Sequence, residues 1–211
     1  RAVLNKFDPF AQVQNRLASL MVTGHDVSKI EIIIIGGTWS FLPLEYQQDF
    51  IKNIYDGLNQ IIKPQNIKKY GGFFKCPKII KKEDAKTLEE AITKNETSPH
   101  RCVGLTLETR PDFINPAEIK RFRSYGCTRV ELGVQSLFDQ VHLKTKRGHT
   151  VKDVQIATKL LRDAGFKIAY HLMPGLPGSN AKMDLETVKQ TFNNDHYKPD
   201  LIKFYPCVVT K

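Results

Sequence analysis

The chain has 211 residues, of which 41% are hydrophobic and 26% are charged, and its formal net charge is +10. This is an ordinary globular composition, and the length allows one good core but not two large domains. The sequence shows no signal peptide, and no apolar run approaches the ~20 residues of a membrane-spanning helix. Because the chain starts at Arg1 and stops inside a predicted strand, we expect both ends to be cuts in a longer polypeptide.

The first predicted element is a helix that begins at Asp8-Pro9, since aspartate is a good cap and proline suits the first helical turn. Its apolar residues recur at helical spacing until Gly24 ends the run. Five short and nearly continuous apolar runs predict buried strands at Ile30–Ile35, Cys102–Leu107, Arg129–Gly133, Lys167–Leu172 and Leu201–Tyr205. Helices are predicted between them at Glu45–Leu58, from Asn115-Pro116 to before Gly126, at Val151–Ala164 and at Lys182–Phe192.

This alternation of strands and helices predicts right-handed βαβ units and a parallel sheet. No G-x-G-x-x-G turn is present, which favours a barrel over an open dinucleotide-binding sheet. The predicted fold class is therefore α/β, a partial parallel (β/α) barrel of the TIM type.

One connection is longer than the others. The chain from Ile35 to Cys102 is roughly twice as long as the ~30 residues of a βα unit. It contains a lysine-rich segment, Lys63–Lys86, with eight lysines against two acids. We interpret residues 61–88, approximately, as a loop insertion in a single domain that spans 1–211. Such a segment attracts polyanions, and a solubilising loop is an equally good interpretation. The candidate nucleic-acid contacts are Lys68, Lys69, Lys81 and Lys82.

The four cysteines are too far apart in sequence for a metal site of the usual spacing, in which about two to four residues separate two ligands. No metal ligand is therefore predicted. Without a secretory leader, we expect reduced thiols and a cytoplasmic location.

Polar residues or glycines stand at the end of every predicted strand or directly after it. They are Gly36-Gly37-Thr38 after the first, Glu108 after the second, Gln135 and then Arg147 after the third, His171 leading into a Gly-Leu-Pro-Gly turn at the fourth, and Lys203 with Tyr205 at the fifth. In parallel barrels the ligand lies at this end of the strands. Glycines admit hydrogen bonds to the main chain, carboxylates suit ammonium groups or ribose hydroxyls, and arginine suits a carboxylate. A ligand with an amino acid end and a nucleoside end would satisfy the whole set.

Several stretches also resemble a known family. "GHDVSKIEIIIIGGTW", "LTLETRPDFINP", "GCTRVELGVQSLFDQV", "RGHTV", "LRDAGFKIAYHLMPGLPGS" and "IKFYPCVV" are similar, in this order, to the radical S-adenosylmethionine (SAM) domain of the Elongator catalytic-subunit family. A looser resemblance, in GGT, GVQS, RGHT and GLPG, extends to oxygen-independent coproporphyrinogen oxidases. The resemblance covers the chain from Asp8 nearly to its end.

The resemblance implies a partial barrel of the radical SAM type that holds a 4Fe-4S cluster and SAM. It implies a tRNA wobble-uridine-modifying enzyme of the acyltransferase class, in which a SAM-derived radical activates acetyl-CoA for addition to C5 of uridine, giving a carboxymethyl-type product. tRNA, acetyl-CoA and other Elongator subunits are the implied partners. Two alternatives stay open, a porphyrinogen-type radical SAM oxidoreductase and a non-catalytic RNA-binding barrel.

Residue by residue, Gly36, Gly37 and Thr38 match the turn whose main chain holds the SAM amino group. Polar SAM contacts match Glu108, Gln135 and Arg147, while His171 stands where the porphyrinogen oxidases have a carboxylate. Lys29 matches an acetyl-CoA contact. The family's three cluster cysteines and its first barrel strand lie upstream of Arg1, and its acetyltransferase domain lies downstream, so we expect this chain alone to bind no cluster and to be inactive.

Overall fold

A computed structural model describes residues 2–62, 68–70, 73–75 and 85–208 of the chain, with the backbone alone at 68–70 and 73–75. The chain divides into two compact units. Residues 1–32 and 42–104 form the first, and residues 33–41 and 105–211 form the second. The prediction that 1–211 is one domain stays a prediction.

The first unit contains three helices, α1 (Pro9–Val22), α2 (Leu44–Asn59) and α3 (Leu88–Asn95), and an antiparallel strand pair, β2 (Lys68–Tyr70) and β3 (Phe73–Lys75). As predicted, the Asp8 carboxylate caps α1 by accepting a bond of 3.2 Å from the Ala11 amide. Helices α1 and α2 approach closely at Gly57, where an added Cβ would lie 3.1 Å from Cβ of Val13. A side chain at position 57 would therefore force Val13 to shift by a few tenths of an ångström.

The second unit contains four helices in the described residues: α4 (Pro116–Ser124), α5 (Asp139–Lys144), α6 (Val151–Asp163) and α7 (Ala181–Asn193). Polar caps begin three of them, because Asn115, Thr150 and Asn180 each accept a bond from an amide of the first turn. At α6 the cap is a full capping box with Asp153. No helix in the described part of the chain is long and apolar enough to cross a membrane.

Five parallel strands form a curled half-barrel: β1 (Lys29–Ile34), β4 (Arg101–Thr109), β5 (Arg129–Gln135), β6 (Lys167–Leu172) and β7 (Leu201–Phe204). Their order in the sheet is β1-β4-β5-β6-β7. The C-terminal residues of β1 and β4 belong to the second unit together with β5, β6 and β7. The predicted fold class and all five predicted strands are confirmed.

The two faces of this sheet differ in polarity. Tyr170 of β6 contacts Thr158 of α6 through its hydroxyl group, so its face is the one covered by helices. That face carries apolar side chains that are almost completely buried, among them Leu105, Leu107, Val130, Leu132, Ile168 and Leu172. Because side chains alternate along a strand, the register places Glu108, Glu131, His171 and Lys203 together on the opposite face.

Two strands extend further than predicted. Glu108 and Gln135 lie inside β4 and β5 rather than after them, because the parallel pairing continues to Thr109↔Leu132 and to Gln135↔Leu172. Helices α3 and α5 and the pair β2–β3 were not predicted. Most of the predicted insertion, including Lys81 and Lys82, lies outside the described residues.

Candidate functional site

The glycine turn after β1 leaves space beside its main chain. Gly37 has φ +97°, a conformation that residues with a side chain rarely adopt, and a Cβ added at Gly36 or Gly37 would meet no atom within 4 Å. The Thr38 carbonyl then accepts a bond of 3.1 Å from the Phe41 amide, which starts a 3-10 helix. The turn therefore presents main-chain groups next to open space.

The segment after this turn is joined to the end of β4. The Thr109 hydroxyl lies 2.7 Å from the hydroxyl of Ser40, and the Thr109 side chain is buried. The sheet order also makes β1 and β4 neighbours. The glycine turn and the end of β4 consequently lie at the same edge of the sheet, the one formed by the C-terminal ends of the strands.

Four ionisable side chains form a row across the polar face. His171 Nδ1 lies 3.7 Å from Glu108 Oε1 and 3.8 Å from Glu131 Oε1. Glu131, whose side chain is only 4% exposed, accepts a bond of 2.6 Å from Lys203 Nζ. Tyr205 packs edge-on against the His171 ring, with the ring centroids 4.7 Å apart. Buried charge on this face is therefore compensated within the face itself.

Gln135 and Arg147 converge above Gly133. A Cβ built at Gly133 would lie 3.0 Å from Gln135 Nε2 and 3.1 Å from Arg147 Nη2. Arg147 Nη2 donates to the Gly133 carbonyl at 3.3 Å. Burial, and next the charge of Arg110, lower the pKa of Arg147. Within the described structure, Gln135 Oε1 and Arg147 Nε are buried and have no hydrogen-bond partner.

Most of the predicted site residues therefore meet at one edge of the second unit. Glu108 and His171 are in contact range, Gln135 and Arg147 are in contact range, and the Glu108 charge acts on Arg147. Lys29 is different, because it is the exposed first residue of β1 and belongs to the first unit. Lys68 and Lys69 lie on β2, where only the backbone is described, and Lys81 and Lys82 lie outside the described residues.

The sequence around these residues matches a known protein superfamily. Residues 25–191 match the model of the Radical SAM superfamily. The chain belongs to the radical SAM superfamily. Membership implies SAM and a 4Fe-4S cluster as the cofactors of the family.

Individual relatives place this radical SAM chain more narrowly. It is 44% identical over 209 residues to the tRNA uridine(34) acetyltransferase of Methanocaldococcus jannaschii, covering 99% of the chain and 35% of the relative. It is 36% identical over 211 residues to human Elongator complex protein 3, covering 100% of the chain and 35% of the relative. The chain thus spans about a third of the length of these relatives.

Solved structures agree with this placement. An archaeal Elp3 from Methanocaldococcus infernus that lacks its N-terminus has a TM-score of 0.86 and 42% identity, over 100% of this chain and 44% of that one. The coproporphyrinogen III oxidase HemN of Escherichia coli has a TM-score of 0.55 at 17% identity, over 96% of this chain and 36% of that one, which shows a shared fold.

The described residues fit SAM. The open space at Gly37 suits a ligand that approaches the main chain. Within the described structure the buried Gln135 Oε1, an acceptor, and the buried Arg147 Nε, a donor, have no partner in the protein. Among the described residues no group of three or more His, Cys, Asp or Glu side chains could hold a metal ion. These residues do not fit the iron–sulfur cluster.

The sequence singled out Lys203 without a role and did not single out Glu131. A signal for Glu131 exists, because it is the one charged residue inside the apolar run Val130–Val134. A charge in a buried strand needs a partner. The register of β5, β6 and β7 supplies that partner as Lys203, which no local pattern identifies.

Two buried histidines lie next to this site, His142 and His149, and the ring centroids are 4.4 Å apart. Burial, and then the neighbouring His142 and Arg147, lower the pKa of His149 from 6.5 to about 4. Burial also lowers the pKa of His142. Both rings are therefore neutral at neutral pH.

Acid should destabilise the protein through His149. Below its ordinary pKa of 6.5 the unfolded chain takes up a proton that the folded chain binds only near pH 4, so stability is lost as the pH falls through this window. We expect a loss on the order of 2 kcal/mol relative to His149→Gln, which does not titrate. Urea unfolding at a series of pH values measures the difference, with the exposed His196→Gln as control. Parallel pH curves for the parent and His149→Gln would contradict the assignment.

Proposed function

We propose that this chain is the SAM-binding core of a tRNA wobble-uridine-modifying enzyme that uses SAM and acetyl-CoA and gives a carboxymethyl-type product at C5. The observation that carries the proposal is the convergence of the glycine turn, Glu108, Gln135 and Arg147 at one sheet edge in a radical SAM chain. The names of its relatives, tRNA uridine(34) acetyltransferase and Elongator complex protein 3, support uridine 34 as the target.

Each part of the edge has a role in holding SAM. The main chain of Gly36, Gly37 and Thr38 receives the amino acid end, where carbonyl groups accept from the ammonium group. The Arg147 guanidinium pairs with the SAM carboxylate. Glu108 and Gln135 take hydroxyl or ammonium groups, and His171 adds a further polar contact. When bound and reduced by one electron, which the described residues do not supply, SAM would provide the radical that abstracts a hydrogen atom. The residues of this chain orient SAM and keep its polar groups paired.

Two co-substrate sites complete the proposal. Lys29 contacts acetyl-CoA, and the lysine-rich segment contacts tRNA. In the whole protein these sites act together with parts beyond this chain, including the ligands of the cluster and an acetyltransferase domain.

The test is a modification assay with the natural full-length protein, tRNA with unmodified uridine 34, SAM, a reductant and acetyl-CoA labelled in its methyl group. We expect label at C5 of uridine 34, detected by mass spectrometry of the nucleosides. If tRNA binds to the protein but receives no label, the result would favour the non-catalytic RNA-binding barrel. Turnover of a porphyrinogen instead would favour the oxidoreductase.

The lysine-rich segment gives a separate prediction. Changing Lys68, Lys69, Lys81 and Lys82 to glutamate should weaken tRNA binding about tenfold or more and reduce its salt dependence, because fewer counterions are released. Filter binding at several salt concentrations measures both effects. The matched control changes the four exposed helix residues Lys120, Lys152, Lys182 and Lys189 to glutamate. Equal losses in the two quadruple variants would indicate a general charge effect and contradict a specific contact.

A further inference from the structure

The two buried histidines bind the same main-chain oxygen. His142 Nε2 lies 3.1 Å from the Val134 carbonyl oxygen and His149 Nε2 lies 3.4 Å from it. The side chains are almost fully buried, since His142 is 3% exposed and His149 is 4% exposed. Because a carbonyl oxygen only accepts hydrogen bonds, both rings must carry their hydrogen on Nε2. The geometry therefore defines one tautomer for both rings.

The shared carbonyl belongs to the peptide group that precedes Gln135. Gln135 has φ +68°, a left-handed conformation that is unfavourable for a residue with a side chain, and the β5–β6 register shifts between Leu132 and Gln135. The Ser136 amide also donates to the Val134 carbonyl at 2.8 Å. Three donors on one oxygen orient this peptide plane, and the plane in turn directs the Gln135 side chain.

The same histidines hold the segment that carries Arg147. The Arg147 amide donates to the His142 carbonyl at 3.0 Å, and His149 follows Arg147 by two residues. The ring pair thus connects the main chain at Gln135 with the main chain at Arg147. The side chains of these two residues meet above Gly133.

We propose that His142 and His149 are positioning residues that, as a pair of neutral donors on the Val134 carbonyl, set the placement of Gln135 against Arg147 and through it the affinity for SAM. The inference rests on the proposed SAM site and adds residues that do not touch the ligand. It also explains why histidine rather than leucine fills this part of the core, since an apolar ring or chain would remove two of the three donors from the bulged peptide group.

The surrounding charges favour the neutral pair. Arg147 opposes protonation of either histidine, and His142 also opposes protonation of His149. The carboxylates that act on the pair are Asp139 on His142, Asp112 on His149 and Asp153 on both. The carboxylate nearest to His142, Asp139 Oδ1, lies 3.9 Å from Nδ1, and the Asp139 side chain is 64% exposed. Donation to the carbonyl is therefore the closest polar interaction of both rings.

The experiment compares leucine and glutamine at both positions in the natural full-length protein. Leucine removes the donor, whereas glutamine keeps an N–H group near the position of Nε2 and does not titrate. We expect His142→Leu/His149→Leu to weaken SAM binding about tenfold or more by calorimetry, and His142→Gln/His149→Gln to recover most of the affinity. The exposed His196→Leu is the control and should bind SAM like the parent.

A second readout does not depend on SAM. Nitrogen NMR of the labelled histidines should show both rings protonated at Nε2 and unprotonated at Nδ1 at neutral pH. A parent protein that binds no SAM would overturn the proposed site itself. A parent that binds SAM while the leucine pair binds equally well would overturn only the positioning role. If the leucine pair does not fold, two other results overturn the positioning role. One is a folded glutamine pair that binds SAM about tenfold or more weakly than the parent, and the other is a parent protein whose rings are protonated at Nδ1.

Discussion

Replacing Gly37 by alanine is expected to lower the affinity for SAM about 100-fold. An added Cβ at this position meets no protein atom within 4 Å, so the protein alone tolerates its volume. The proposed ligand occupies that space, and it needs the main chain of the turn. The methyl group would therefore exclude the ligand while leaving the surrounding core intact.

A matched control separates this effect from backbone strain. Gly24 has φ +82°, close to the +97° of Gly37, and a Cβ added there also meets nothing within 4 Å. Both alanine variants should lose about 1 kcal/mol of unfolding free energy, because both force a left-handed conformation on a residue with a Cβ. Calorimetric titration should show normal SAM binding for Gly24→Ala only. Equal SAM affinities in the two variants would mean that the space at Gly37 holds no ligand.

Replacing Lys203 by methionine is expected to lower the unfolding free energy by about 2 kcal/mol. The substitution leaves the Glu131 carboxylate, 4% exposed, without the ammonium group that lies 2.6 Å away. The loss should be below that of a fully buried pair because the Lys203 side chain is 32% exposed and already partly hydrated. Denaturant unfolding measures it.

The double variant Glu131→Gln/Lys203→Met tests the cause. Removing both charges should restore most of the stability, because a neutral amide leaves no buried charge to compensate. His171 Nδ1, 3.8 Å from Glu131 Oε1, then keeps Glu108 at 3.7 Å as its neighbouring carboxylate. If the double variant were as unstable as Lys203→Met, the pair would not be the source of the loss.

Strand positions could be predicted from sequence because apolar runs between helix caps are local signals. The ends of the strands could not be predicted in this way. Glu108 and Gln135 were predicted to follow their strands, yet both are paired within the sheet, because ladder hydrogen bonds depend on the neighbouring strand rather than on polarity. The consequence is functional, since pairing is what directs Glu108 onto the polar face.

The residues that support the site were harder to predict than the residues that we expect to touch the ligand. Polar residues at successive strand ends identified Glu108, Gln135, Arg147 and His171 as a set, and the structure brings them to one edge. The Glu131–Lys203 pair and the two histidines are joined by packing across elements, and helix α5, with six residues, is too short to show a clear period. The left-handed Gln135 has no local sequence signal at all.

A crystal structure of the natural full-length protein with SAM would decide whether this sheet edge is a SAM site. We predict SAM with its ammonium group on the main chain of Gly36–Thr38, its carboxylate on Arg147, and Glu108 and Gln135 in contact with its remaining polar groups. SAM bound elsewhere, with the space beside Gly37 filled by solvent, would contradict it.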